Sequence, residues 1–583
     1  MKRYGAANVH ADNDDAVLCN DDALLLIDEN DKVVCQKHLA DHIAFDKKEN
    51  TTHRPWTFIA VFLLSVLMCA PGARAADPDD LASIRSFPPD TTPYTRPEVP
   101  EDGWHLGREG ALSGAIPPTI RDVLIVNAVV NNTNPNLLLT DTFNDGETSI
   151  AVNPLNPDEI VITAFSGTSG GNAALWHSLD GGLIWTKRFS IPPAPGVPGF
   201  FACGGPCDQT IDYGMGNELS GAILGAGTDG LFGLDVYSGT TTGPTNAEAW
   251  NWLAPGGVTQ KTNHNAPSTL GSADQPWLVV NRDPQARHQN NVYVAYDDFR
   301  GAPDMRVAVA QGTNPPDFIL DQRTGLSTGF VNPGHRLAAD RREGFIYSLF
   351  QRRIAPGSGG SQNIDYMLNR SINGGRSWSL NGSPTGIVIA NADSTQPQPK
   401  FGTVNALLGG VLHAAVDPHS GDLFYVYGRR DPATGNNRLA IRRIVDGGVG
   451  DVIIGPERFI TGQVQAAIPS VAVTESGAVG VFYYTFDGFA GGFPVFTAHL
   501  TVTDDLGQTF TDLGLLTFLS SAVDNGDPRQ RVLGDYMQLK AVGDTFYGAF
   551  TGNGVAFGRP FANHDPIFFR ASVRGWRSGT DMP

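Results

Sequence analysis

Beyond about residue 119, apolar positions come in short runs rather than at helical spacing. A two-part phrase recurs there: a run of Val, Ile, Leu and Ala, a turn holding Pro, Asp, Asn or Gly, then a second run ending in aromatics. It begins near Glu147, Asp208, Asp274, His335, Leu412, Ile468 and Asp535. Short runs bounded by turn residues predict strands, not helices. The starts stand roughly 55–75 residues apart, room for four strands and their loops. The pattern predicts an all-β propeller of four-stranded blades, seven in preference to six. The last phrase is one strand short, while the run at 123–130 has no phrase of its own. That run would supply the missing strand and close the ring without an open edge.

Ahead of this domain the pattern changes twice. Residues 76–118 are rich in Pro, Asp and Thr without periodicity and read as a linker. The run at 57–70 is apolar but too short to span a bilayer. His53 and Arg54 precede it and Ala73-Arg74-Ala75 follows, so 55–75 reads as a secretory signal peptide. The polar stretch 1–54 before it is either a misassigned translation start or a cytoplasmic tail on an uncleaved anchor. The expectation is a secreted or periplasmic protein, membrane-bound only if the segment is retained. Downstream of 75 only Cys203 and Cys207 remain, and in an oxidising compartment they predict a local disulfide.

A second pattern appears in triplicate: Ser178-x-Asp180-x-Gly182-x-x-Trp185, Ser371-x-Asn373-x-Gly375-x-Ser377-Trp378 and Thr503-x-Asp505-x-Gly507-x-Thr509-Phe510. Each reads as a hairpin turn, with an Asx side chain for backbone amides, a Gly for positive φ and an aromatic for the core. The pattern resembles the Asp-box of the sialidase-like, or BNR-repeat, β-propellers. That resemblance implies the fold and a glycan partner. In such sialidases an arginine trio holds the substrate carboxylate, an Asp is the acid/base and a Glu-activated Tyr is the nucleophile. The family's F/Y-R-I-P run is missing before Ser178; the nearest relic is Arg353-Ile354-Ala355-Pro356.

Strand order assigns faces. Phrase starts and the ends of second strands share one face, and the repeated turns lie on the other. The first face collects Glu147, Asp208, Asp274, Arg336, Asp535 and Tyr536 from starts, and Tyr296, Asp297, Arg300, Gln351, Arg352, Arg353, Tyr427, Arg429, Arg430 and Tyr484 from second strands. An Arg fork suits a carboxylate. By residue type, Arg300, Arg352, Arg353, Arg429 and Arg430 are candidate anion ligands. Asp274, Asp297 and Asp535 are candidate acids, and Tyr427, Tyr484 and Tyr536 candidate nucleophiles. Read structurally, Asp208, Asp274 and Asp535 would instead tie neighbouring blades by accepting backbone amides. The functional reading is a glycosidase acting on acidic, sialic-acid-like glycans. The alternatives are a non-catalytic glycan- or protein-binding propeller and a polysaccharide lyase.

Composition narrows the partners. With 41 Lys plus Arg against 60 Asp plus Glu, the formal charge of −19 leaves no basic stripe for nucleic acid. No His or Cys spacing suits a transition metal, so no cofactor is expected. Asp274 with Asp297 and Asp298 is compatible with Ca²⁺.

Overall fold

The computed structural model describes residues 25–27 and 33–35 and, from 112 to 574, everything outside 135–136, 138–143, 167–172, 192–206, 227–233, 242–249, 252, 255–257, 260, 264–272, 299–303, 314–315, 327–333, 358–359, 395–399, 449 and 461–464. Arg300, Cys203, the run at 57–70, the site at 73–75 and the linker up to 111 lie outside the described residues. The chain divides into Met1–Met68 and Cys69–Pro583. In the first unit Leu25–Ile27 pairs antiparallel with Val33–Cys35. Among the described residues no helix is long and apolar enough to cross a membrane.

The second unit is a seven-bladed propeller of antiparallel sheets. Blade I is Asp145–Val152, Ile160–Ser166, Ala173–Ser178 and Thr186–Ile191, from the inside outward. Blade II is Cys207–Tyr213, Leu219–Ala226 and Leu234–Thr241, three strands in its sheet among the described residues, with Asn251 bridging Thr240 at the edge. Blade III is Ala273–Arg282, Asn290–Asp298, Asp304–Gln311 and Phe318–Leu326. Blade IV is Arg336–Ala339, Ile346–Pro356, Gln362–Ser371 and Ile387–Ser394. Blade V is Leu412–Val416, Leu423–Arg430 and Asn437–Val445, with an outer edge split into Ile453–Ile454 and Arg458–Phe459. Pro456, which has no amide to donate, stands in that split. Blade VI is Ala466–Val473, Val479–Ala490, Phe493–Thr503 and Thr511–Leu519. Blade VII is Gln538–Val542, Thr545–Asn553 and His564–Val573.

Ile120–Asn127 completes blade VII, pairing from Ile120↔Val573 to Asn127↔Ile567. Its Ile120, Val123, Leu124, Ile125 and Val126 are buried. Between blades VII and I, Leu124, Val126 and Phe568 pack on Ile150, Ile162, Trp176 and Trp185. Both faces of a blade are thus covered by neighbours, which is why its strands read as unbroken apolar runs.

The seven inner strands neighbour one another in chain order, and the last returns to the first. Their ties are side-chain acceptors on one strand meeting amides on the next. Ser149 accepts Ile211 N at 3.1 Å, Thr210 accepts Leu278 N at 3.2 Å, and Ser470 accepts Leu539 N at 2.9 Å. His413 accepts Val471 N at 3.2 Å, and burial pushes this imidazole down to about 3, leaving it neutral and able to accept.

The three repeated turns join third and fourth strands, on the face opposite the blade starts. Ser178 donates to Asp180 at 2.6 Å and accepts Gly182 N at 3.0 Å, while Asp180 accepts Ile184 N at 3.0 Å. The same frame recurs as Gly375 N to Ser371 at 2.9 Å with Ser377 N to Asn373 at 3.0 Å. It recurs again as Gly507 N to Thr503 at 3.0 Å with Thr509 N to Asp505 at 2.8 Å. These side chains serve the turn itself.

Candidate functional site

Four inner strands break register at equivalent points: between Gly146 and Ser149, Cys207 and Thr210, Asp274 and Trp277, and Ala467 and Ser470. At each break a non-glycine residue takes positive φ: Glu147 at 52°, Asp208 at 45°, Gln275 at 45° and Ile468 at 56°. A bulge re-aims side chains, and a left-handed residue with a Cβ costs roughly 1–2 kcal/mol. Strain recurring at one level of the ring makes that level the candidate site.

Three of the four bulge residues are polar, and they meet across the axis. Glu147 accepts Asp535 N at 3.2 Å and Arg531 Nη1 at 3.3 Å, joining blades I and VII. Arg531 also pairs with Asp535. Gln275 of blade III donates to Asp535 at 3.0 Å and accepts Arg336 of blade IV at 3.2 Å. Blades III and VII are not ring neighbours, so that contact places the group on the axis. Asp535 also accepts Leu408 N at 3.2 Å, and Arg336 donates to Gly409 O at 2.8 Å. The segment before blade V therefore lies across the axis. Asn405 clamps it to the chain entering blade VII, accepting Val532, Leu533 and Gly534 amides at 2.9, 2.8 and 3.2 Å. A Cβ on Gly409 would stand 2.4 Å from the Asp535 Cβ, so only glycine fits there.

Aromatic walls complete the site. The Arg336 guanidinium lies 4.5 Å over Trp277 and 5.1 Å over Tyr536, whose rings meet edge-on at 5.7 Å. Asp297 accepts Gly334 N at 3.3 Å. Glu147, Asp208, Asp297 and Asp535 are buried, whereas Asp274 is half-buried.

Burial governs the protonation of this group. Desolvation raises Glu147, Asp208, Asp274 and Asp297, with Asp208 and Asp297 pushed well above the usual carboxylate range. Asp208 hydrogen-bonds both Glu147 and Asp274, which favours their charged forms and its own neutral one. Of the three, Asp208 is driven furthest toward its neutral form, by burial first and then by the Glu147 and Asp274 charges beside it. Burial likewise pushes the Tyr536 phenol well up.

Of the residues singled out in the sequence, Glu147, Asp208, Asp274, Asp297, Arg336, Asp535 and Tyr536 stand in this axial group. Tyr427 lies between blades IV and V, its ring 5.0 Å from Tyr366 and its hydroxyl donating to Glu457. Tyr484 is buried between blades VI and VII and donates to Thr551 O at 2.9 Å. Arg352 pairs with Asp365 at 2.7 Å and Arg429 with Glu457 at 2.9 Å, while Arg353 and Arg430 are half-buried at the same strand ends. Tyr296 donates to Asp321 at 2.6 Å. Gln275, Arg531, Asn405 and Gly409 carried no sequence signal of a site. Asp535 accepts an amide, as expected, but that of Leu408 in the segment before blade V and not one from a neighbouring blade. Among the described residues no group of three or more His, Cys, Asp or Glu is arranged to hold a metal ion.

No protein-family model matches the chain, and no curated protein does. Solved structures similar to it include an ulvan lyase from a new family of polysaccharide lyases, at 10% identity and TM-score 0.37, covering 70% of this chain and 91% of that one. An α-L-arabinanase of Penicillium chrysogenum gives 12% and 0.36, covering 77% and 98%. A Trypanosoma rangeli sialidase gives 13% and 0.32, covering 73% of this chain and 54% of its own. At these identities and scores the likenesses add nothing to the seven-bladed fold already described.

Proposed function

We propose that this chain is a carbohydrate-active propeller that cleaves a glycosidic bond at the axial carboxyl group. The observation that carries the reading is the set Glu147, Asp208 and Asp274. Three adjacent inner strands deliver it, two through strained bulges, and burial with the neighbouring charges favours the neutral form at Asp208. Cleavage of a glycosidic bond needs one protonated and one ionised carboxyl flanking the bond. Asp208 is the proton donor to the leaving oxygen. Asp274, the most exposed of the three, is the carboxylate that attacks the sugar or activates water once substrate parts it from Asp208 to the roughly 5–9.5 Å that the bond requires. Arg531, at 25% side-chain exposure, holds Glu147 and Asp535 in place from the solvent side. The repeated turns add their resemblance to the sialidase-like propellers. The apolar run at 57–70 with Ala73-Arg74-Ala75 supports an exported enzyme in this reading.

The test is turnover of a panel of fluorogenic glycosides by the purified chain, with Asp208→Asn and Asp274→Asn beside it. Loss of kcat by about a hundredfold or more in both variants, with unchanged circular dichroism, supports the assignment. Turnover untouched by either substitution moves the chemistry elsewhere. A folded, inactive wild-type protein that retains glycans on an array is the binding propeller instead.

A further inference from the structure

Arg531 and Asp535 stand at the end of a connecting loop that holds no strand. None of residues 523–530 is buried, so the loop has no apolar anchor of its own. Its turns are closed from within: Asp524 accepts Gly526 N at 2.8 Å, Asn525 accepts Asp527 N at 2.9 Å and Asp527 accepts Arg529 N at 2.8 Å. Three oxygens converge on one spot beneath it, Asp524 Oδ1, Asp527 O and Gln530 Oε1. The Lys400 ammonium fills that spot and donates to them at 2.6, 2.9 and 3.0 Å. We infer that Lys400 is the built-in cation of this loop and the positioning residue for Arg531 and Asp535; its catalytic consequence rests on the axial reading above.

An ammonium has three donors, and each finds an acceptor here. The Lys400 side chain is 6% exposed and that of Asp524 47%, so the ammonium is enclosed under the loop instead of spread on the surface. Its bond holds the Asp524 carboxyl below its ordinary value. An exposed ion pair adds little by itself, and the weight of this contact lies in where it fixes the chain. Gln530 is gripped immediately before Arg531. The same short hairpin carries the Asn405 clamp: Phe401 and Asn405 exchange backbone bonds of 2.9 and 3.1 Å, and Ala406 N donates to Gln530 O at 2.8 Å. Buried Phe401 and Val404 root the hairpin in the core. Lys400 and Asn405 therefore hold the chain on either side of Arg531 from one support, and Arg531 in turn spans Glu147 and Asp535.

The experiment removes the ammonium and then returns it. Lys400→Ala deletes the side chain beyond Cβ, and n-propylammonium supplies the missing atoms. Amide hydrogen exchange is followed across residues 530–535 of the full chain, with turnover of the fluorogenic glycosides alongside. In Lys400→Ala the amides of Val532, Leu533 and Gly534 should exchange about tenfold faster, and saturating n-propylammonium should return them to wild-type rates. Tetramethylammonium, of equal charge but without an N–H, should not. Turnover should lose about tenfold in kcat with KM unchanged, and recover with the same amine. Asp524→Asn keeps the turn acceptor and loses the charge, and should speed the same amides about threefold. Unchanged exchange in Lys400→Ala, or equal rescue by tetramethylammonium, overturns the role of Lys400. If Lys400→Ala does not fold, unchanged exchange in Asp524→Asn overturns it instead. Exchange rescued by n-propylammonium, beside a wild-type protein that turns over no glycoside, keeps the positioning role and overturns the axial catalysis.

Discussion

Buried titratable residues act on this protein's stability in two opposite directions. Glu147, Asp208, Asp274 and Asp297 have folded-state values raised by desolvation above their ordinary 4.5 or 3.8. Their stabilisation is complete below the ordinary carboxylate range and is lost as pH rises through the raised folded values. Burial also holds His335 and His413 down to about 3 and His564 to about 4, from an ordinary 6.5. Their stabilisation is complete above the ordinary histidine value and is lost as pH falls below it. The two sets oppose one another between the ordinary 3.8 and 6.5, so thermal stability should crest inside that window and fall as pH rises beyond it. Asp208→Asn should flatten the alkaline side by up to about 1.4 kcal/mol per pH unit, and His413→Gln the acid side. Calorimetric melts across that range check it; an alkaline flank unchanged in Asp208→Asn would mean Asp208 is ionised in the folded protein.

Single strands and turns were the most legible level of the chain. Strands covered on both faces appear as apolar runs, so all seven phrases became blades. The repeated turns appeared where strand order put them. Glycines within those turns separate by what they face. A Cβ on Gly182 would stand 2.0 Å from the Phe568 ring and one on Gly375 2.5 Å from Val309, while Gly507 has nothing nearer than 3.6 Å. All three have positive φ. Gly182→Ala should cost about 3–4 kcal/mol, Gly375→Ala about 2–3 and Gly507→Ala about 1, by urea unfolding. Equal losses at all three would assign the cost to backbone alone. The bulges were not legible, because Glu147, Asp208 and Gln275 sit in sequence like any strand-opening polar residue. Nor was the split edge of blade V, where Gly455 and Pro456 interrupt an otherwise plausible strand.

At the scale of the whole molecule, the ring closure was legible and the centre only in part: its carboxyls and Tyr536 could be assigned to one face, but not how they meet. A leftover run upstream and a missing strand downstream need only counting. The axial group depends on contacts such as Gln275 to Asp535, 260 residues apart, and on Arg531, which sits in a connecting segment and not in any strand. Removal of residues up to 111 should leave cooperative unfolding intact, because Ile120–Asn127 and all seven blades lie beyond that point. Removal through Asn127 should abolish the single transition and promote aggregation by baring the His564–Val573 edge, as light scattering on heating would report. A soluble, cooperative product from the longer deletion would show that blade VII is complete without its first-made strand. That closing strand also sets a timetable. Asn127 reaches Asp565 at 2.7 Å across a separation of 438 residues. A ribosome adding about 5–20 residues each second leaves the strand without its partner for roughly 20–90 s. Throughout synthesis the nascent chain thus carries an aggregation-prone end that its own fold cannot yet shelter. A chaperone, or the unfolded passage of the whole chain through a membrane, would have to stand in for blade VII until the last strand arrives.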